Sequence, residues 1–134
     1  MLWRTRNPQR ALRSVPLGFI HPCRPTVSHH PPTGPGWVHE VKHDGYRIQI
    51  HARGDRVRLY TMRGADWTER YPRVVDEVRR IKGSAIIDAE LVCLSEDGKS
   101  EFDRLHSRCF DREAIACVFD LLNLNGDDLR RSPW

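Results

Sequence analysis

One eight-residue stretch of the chain gathers a lysine amine, two carboxylates, a glycine and an arginine. In an extended strand, alternate side chains share a face, so Glu40, Lys42 and Asp44 would project together. Gly45 would then allow a sharp bend, and Arg47 would follow on the next strand. A lysine in this position can present its amine to a bound anion. The alternative is a charged hairpin end with ordinary surface ion pairs.

A second pair of chemically capable groups, Asp88 and Glu90, lies in the otherwise apolar segment 84–94. The two-residue period of a strand places both carboxylates on one face. Carboxylates in a buried strand are costly unless they are hydrogen-bonded or functional. The alternative is a strand end that reaches solvent.

Composition favours one small domain and excludes some classes of protein. The chain has 134 residues, a net charge of +4 and a pI near 9.1, a mildly basic balance that suits a polyanion without requiring one. Its four cysteines lack zinc-like spacing and predict reduced thiols in a cytosolic protein. The histidines at 21, 29 and 30 have no companion ligand at useful spacing, so no metal-ligating residue is predicted. No apolar run approaches the ~20 residues that span a bilayer, and residues 1–15 are too rich in arginine for a secretory signal.

The hydrophobic pattern predicts strands with two helices between them. A helix should begin at Pro72 and stop at Gly83, because its apolar residues recur on one face. Residues 1–16 would form a basic, disordered arm, and the proline-rich residues 22–36 a loop. The predicted elements are strands at 37–43, 46–53, 56–61, 84–94 and 115–122, a short helix at 102–109, and turns at 54–55, 97–98 and 125–126.

The spacing Lys42-x-Asp44-Gly45-x-Arg47 resembles the nucleotidyl-lysine motif of the superfamily of ATP-dependent DNA ligases and mRNA-capping enzymes. Further stretches are similar, in the same order, to bacterial ATP-dependent DNA ligases of the end-joining type. The resemblance implies an α+β, antiparallel-sheet-rich nucleotidyltransferase domain, ATP-grasp-like, with residues 17–134 as its N-terminal part. These stretches are Phe19 to Thr26, Gly36-Trp37, Arg63-Gly64-x-Asp66-Trp67-Thr68, Asp88-Ala89-Glu90-Leu91-Val92, Phe119-Asp120-Leu121-Leu122 and Asn125-Gly126.

The resemblance implies that Lys42 attacks the α-phosphate of ATP, releases pyrophosphate and retains AMP. The amine must lose its proton before it attacks, and nearby cations such as Arg47 and bound Mg²⁺ would favour the neutral form. Asp44 belongs to the same motif, either as a direct participant in catalysis or as a group that holds the loop. The implied partners are ATP and DNA with nicks or broken ends, in the cytoplasm of a bacterium.

The resemblance also assigns the residues that would bind the nucleotide. Glu40 would read the adenine edge, and Arg47 would contact the sugar. Glu90 would bond a ribose hydroxyl, and Arg63 would face sugar or DNA phosphate. Phe119 would stack on the base, although filling the core is a competing explanation for an aromatic residue in an apolar strand.

The chain departs from the family pattern in two places. Ala89 stands where the family usually has glycine. The later motifs, with their metal-binding glutamate and paired phosphate-binding lysines, are not found, and neither is the OB-fold. The expectation is therefore a truncated ligase whose activity alone is in doubt. The alternatives are a non-catalytic remnant that binds nucleotide or nucleic acid weakly, and a capping-type guanylyltransferase or RNA ligase.

Overall fold

A computed structural model describes residues 18–133 of the chain and shows a five-stranded antiparallel sheet with short helices. The strand order is β2-β1-β3-β4-β5. The predicted sheet-rich α+β class is confirmed, whereas the predicted basic arm at 1–16 lies outside the described residues. The elements are β1 (Tyr46–Arg53), β2 (Arg56–Thr61), a 3-10 helix (Thr68–Arg70), α1 (Pro72–Val78), β3 (Ser84–Val92), α2 (Phe102–His106), β4 (Ile115–Leu124) and β5 (Asp127–Asp128).

The first hairpin has the predicted bounds. Gly54 has a φ of +56°, which suits the tight turn between β1 and β2, and the hairpin closes on the pair Arg53–Arg56. β3 ends two residues before the predicted Leu94, which instead pairs with Ser100 around the turn. The last long strand begins at Ile115 as predicted and continues to Leu124.

The hydrophobic core lies on one face of the sheet. Ile48 and Ile50 of β1 pack there beside Ala89 and Leu91 of β3, all almost fully buried. α1 covers this face with its apolar side. Its buried residues are Val74, Val75 and Val78.

Both helices are shorter than predicted. α1 ends at Val78 because the amides of Arg80 and Ile81 donate to carbonyls only three residues earlier, which tightens the chain into a turn. Ile81 still packs against the core, so the predicted apolar face holds although the helix does not reach Gly83. α2 ends at His106, since Arg108 has a φ of +63° that an α-helix does not allow.

The predicted strand at 37–43 is wrong. This segment makes no strand pairing, and its apolar residues are open to solvent: Trp37 is 58% and Val41 77% exposed. β1 is already paired on both sides, with β2 and β3, so the segment that leads into it has no free edge beside β1. Alternating side chains alone could not reveal that.

The second face of the sheet is polar. Residues opposite one another in antiparallel strands share a face, so Arg47 of β1, Glu90 of β3 and Cys117 of β4 form one row across it. Gln49 is 99% buried in the next row because Ile20 crosses above it. The Ile20 amide donates to Gln49 Oε1 (2.9 Å), and Gln49 Nε2 donates to the Ile20 carbonyl (2.7 Å). The segment that precedes β1 therefore covers the polar face.

Candidate active site

A cavity of about 780 Å³ lies between this covering segment and the polar face. It has the size of a small-molecule site. Five of the predicted site residues line it: Glu40, Lys42, Arg47, Glu90 and Phe119. They come from the loop before β1 and from three adjacent strands, so the fold brings together residues that are up to 79 positions apart in the sequence.

Gly45 brings the lysine loop against β3. A Cβ at this position would lie 1.9 Å from the carbonyl oxygen of Leu91 and 3.0 Å from Val92 Cγ1. The φ of Gly45 is not in the left-handed region, so glycine is needed here for close approach and not for the bend that the sequence suggested. This contact fixes the end of the loop against β3, three residues after Lys42.

Glu90 is the ionisable group of β3 that faces this loop. Burial raises the pKa of the Glu90 carboxyl, while the Gly45 amide and the charges of Lys42 and Arg47 act in the opposite direction. Asp44 adds a smaller upward effect on that pKa by like-charge repulsion. Lys42 and Glu90 are therefore close enough to interact electrostatically within the cavity.

Arg47 is held by Asp88, and the sequence did not predict this pairing. Its Nε and Nη2 donate to the two carboxylate oxygens of Asp88 at 2.9 and 2.6 Å, and Nη1 donates to the Cys23 carbonyl at 2.5 Å. Asp88 is only 3% exposed, and its hydrogen bond raises the pKa of Arg47. The guanidinium also lies over the Phe119 ring, with Cζ 5.4 Å from the centroid. Arg47 is thus fixed in orientation, and two of its five N–H groups remain for a ligand.

The pairing changes one expectation about charge. The sequence suggested that the Arg47 cation would help Lys42 to lose its proton. A bidentate carboxylate compensates most of that positive charge, so the repulsion of the lysine is weakened. The side chain is better suited to orienting a bound group than to repelling a proton.

Two predicted residues do not line the cavity. Asp44 is exposed on the loop just before Gly45, where it affects Glu90 only through charge. Arg63 is exposed in the turn after β2, at the far edge of the sheet from β3 and β4. Cys23, Pro25 and Cys117 line the cavity without having been predicted, and only their places in the tertiary fold reveal them.

The donor set was tested against a metal ion. Residues 18–133 contain no group of three or more His, Cys, Asp or Glu side chains arranged to hold one. The cavity itself offers the carboxylates of Glu40 and Glu90. The side chains of residues 18–133 therefore do not form a metal site by themselves. Within the same described range, no helix is long and apolar enough to cross a bilayer.

Comparison with known proteins places the chain in a family. Residues 27–134 match the ATP dependent DNA ligase domain, so the chain belongs to this family, as the resemblance predicted. Among curated proteins it is 34% identical over 119 residues to the multifunctional non-homologous end joining protein LigD of Pseudomonas aeruginosa, covering 84% of this chain and 14% of that protein. It is 35% identical over 107 residues to a probable DNA ligase of Streptomyces griseus, covering 71% and 21%.

Solved structures agree with this assignment. The ligase domain of M. tuberculosis LigD is similar with a TM-score of 0.62 and 31% identity, covering 66% of this chain and 30% of that one. A mycobacterial DNA ligase D complexed with ATP and MES is similar with a TM-score of 0.59 and 30% identity, with the same coverage. The chain therefore corresponds to a minor part of these relatives.

Proposed function

We propose that the cavity binds ATP and that Lys42 accepts AMP from it, as the first step of an ATP-dependent joining of DNA. The observation that carries the proposal is the convergence of Lys42, Glu40, Arg47, Glu90 and Phe119 on one cavity of nucleotide size. Membership of the ATP dependent DNA ligase domain family supports the reaction class. A similar solved structure is described as a complex with ATP, which supports the ligand.

The chemical step has three parts. Lys42 Nζ forms a bond to the α-phosphorus of ATP, the bond from that phosphorus to the bridging oxygen breaks, and pyrophosphate leaves. The amine gives up a proton to the surroundings, so the product is a neutral-nitrogen phosphoramidate of AMP. Closing the loop onto β3 at Gly45 positions the amine before the reaction, which saves orientational entropy.

The nucleoside would lie on the floor of the cavity. Arg47 covers the Phe119 ring from one side, so the base would stack on the other side, a contact worth about 1–3 kcal/mol. Glu90, whose carboxyl pKa is raised by burial in the cavity, would bond a ribose hydroxyl. Glu40 would read the adenine edge, and the two remaining N–H groups of Arg47 would hold the sugar.

The remaining assignments are part of the same proposal. Asp44 would hold the loop and not react directly, because it lies outside the cavity. Arg63 would meet DNA phosphate and not the nucleotide.

Residues 17–134 would be the N-terminal part of an adenylation domain. Mg²⁺ would enter with the ATP phosphates and offset their charge. The four cysteines, unpaired in the structure, suit the reducing cytoplasm of a bacterium.

A second candidate function is nucleotide binding without transfer. It is favoured by the side chains of residues 18–133, which supply no cluster able to hold a metal. The same cavity would then hold ATP while the phosphates lacked the groups needed to stabilise the transition state. The two candidates differ in one observable, the covalent attachment of AMP.

Radiolabelled ATP distinguishes the candidates. The purified chain is incubated with Mg²⁺ and ATP labelled at the α-phosphate, then denatured, and label retained on the protein is measured. Lys82→Ala and Lys99→Ala are matched controls, because the chain has just three lysines and these two are exposed away from the cavity. Label in both controls but not in Lys42→Ala supports transfer to Lys42. No label in the wild type, together with ATP binding by equilibrium dialysis, supports the binding function, and labelling by GTP but not ATP indicates a capping-type enzyme.

A further inference from the structure

A second cavity, of about 410 Å³, lies on the same polar face at the hairpin end of β1 and β2. The strand register explains it. Arg53 pairs with Arg56 and His51 pairs with Arg58, so the three arginines project from the face that carries Arg47 and Glu90. We call Arg53, Arg56 and Arg58 the basic row.

The basic row has little compensating charge. Among residues 18–133, no aspartate or glutamate lines this cavity. Arg58 Nε lies 3.7 Å from Asp66, and both side chains are about half exposed. Within residues 18–133, Arg53 and Arg56 form no ion pair with a carboxylate, although Asp55 lies between them in the turn. A cluster of guanidinium groups of which two have no carboxylate partner in this part of the chain attracts phosphate.

The aromatic residues beside the basic row bear on whether it would bind the bases or the phosphates of a nucleic acid. Tyr60 is engaged edge-to-face with His51, with centroids 5.0 Å apart, and with Phe19 at 6.2 Å. Burial and the charge of Arg53 lower the pKa of His51, and its Nε2 lies 2.8 Å from Gln49 Oε1. The aromatic side chains here therefore contact one another edge to face, and the charged groups of the cavity are the arginines of the row. Recognition would involve backbone phosphates, not bases.

We propose that the basic row binds the sugar-phosphate backbone of double-stranded DNA whose reacting end lies at the Lys42 cavity. Arg53 lies six positions after Arg47 in β1, which corresponds to about 20 Å at the rise of a strand. That length corresponds to about six base pairs at 3.4 Å each along a duplex. Contact with the row would hold the duplex in register while carrying no sequence information. The choice of DNA as the partner rests on the proposed function; the anion-binding property of the row does not.

The experiment compares two double variants that lose the same charge from opposite faces. Arg53→Ala with Arg56→Ala removes two arginines of the row. Arg79→Ala with Arg80→Ala removes two exposed arginines at the end of α1, on the core side of the sheet. Binding of a fluorescent 20-base-pair duplex is measured by anisotropy between 50 and 200 mM salt.

Each lost phosphate contact reduces the salt slope by about 0.9, so the wild-type affinity should fall about 12-fold more than that of the Arg53/Arg56 variant over this range. The Arg79/Arg80 variant should keep the wild-type slope. Equal slopes in all three proteins, or binding to anionic vesicles or single strands but not to the duplex, would overturn the proposal. The variant Arg53→Lys with Arg56→Lys keeps both charges and should have the wild-type dependence of affinity on salt. That result would show that the alanine variant lost phosphate contacts and did not unfold.

Labelling with ATP separates this proposal from the proposed function. The Arg53/Arg56 variant should still label at Lys42, because the end of the row lies about 20 Å along β1 from Arg47, which lines the Lys42 cavity. Loss of duplex binding with labelling intact supports a separate DNA surface. If the wild type binds duplex DNA through the basic row but retains no label from ATP, the DNA-binding proposal is supported and AMP transfer to Lys42 is refuted. If the variant loses both labelling and binding while folded, the row is not a separate surface.

Discussion

Gly45→Ala tests the contact that sets the lysine loop against β3. The added Cβ would lie 1.9 Å from the Leu91 carbonyl oxygen, whereas ordinary contacts begin near 3.4 Å. Both atoms belong to the backbone or are attached to it directly, so no flexible side chain can move aside. The loop and β3 must separate by about 1.5 Å at this point. Tyr46 pairs with Leu91 next to the contact, so the first pairing of β1 with β3 is strained as well.

The expected cost combines three terms. Overpacking at a site that cannot relax costs about 1–3 kcal/mol. Weakening a strand hydrogen bond adds about 1 kcal/mol, and the lower entropy of the unfolded alanine chain offsets about 0.4–1 kcal/mol. The net loss in the free energy of unfolding is about 1–4 kcal/mol, or roughly 3–20 °C in Tm for a domain of this size. A displacement of about 1 Å at the amine would lower the rate of AMP transfer about 100-fold.

Urea unfolding and ATP labelling measure the two effects separately. Gly98→Ala is the control: its φ is +80°, but a Cβ there meets nothing within 4 Å. It should lose about 1–2 kcal/mol from backbone strain and label at the wild-type rate. If Gly45→Ala unfolds at the wild-type urea concentration and labels normally, the close approach of the loop does not position Lys42.

Three further predictions concern the site and the core. Asp88→Asn leaves the Arg47 guanidinium without its carboxylate and should lower the free energy of unfolding by about 2–4 kcal/mol; the same change at exposed Asp55, which forms no ion pair within residues 18–133, should have no measurable effect in urea titrations. The raised pKa of Glu90 means that the folded state holds its proton more tightly, so the stability of the wild type should fall relative to Glu90→Gln as the pH rises above about 4.5. A constant difference from pH 4 to 7 would contradict this. Tyr71→Phe removes a buried hydroxyl that has no hydrogen-bond partner among residues 18–133. The free energy of unfolding should therefore stay the same or rise by up to about 1 kcal/mol. A fall in Tm would show that the hydroxyl is bonded.

Local signals in the sequence predicted most of the regular structure. The bounds of β1 and β2 were correct because the alternation is strong and the glycine turn between them is short. The ends of both helices were predicted too late, because the turns that terminate them depend on three-residue backbone bonds that composition does not reveal. The strand at 37–43 failed because β1 was already paired on both sides.

The candidate site divides in the same way. Residues Glu40, Lys42, Arg47, Glu90 and Phe119 could be named from spacing and family resemblance, and all five line one cavity. Asp88 was recognised only as a buried carboxylate. Its partner could not be known before the register of β1 against β3, which pairs residues 31 to 45 positions apart, was established.

The sequence by itself determined which groups are available and the alternation that puts Asp88 and Glu90 on one face, because these are properties of neighbouring residues. Tertiary structure decided that Arg47 is bound to Asp88, that Gly45 presses against Leu91, and that the basic row shares a face with the cavity. Each of these depends on the order and register of strands. Order and register are set by long-range packing of the core, which no local pattern specifies.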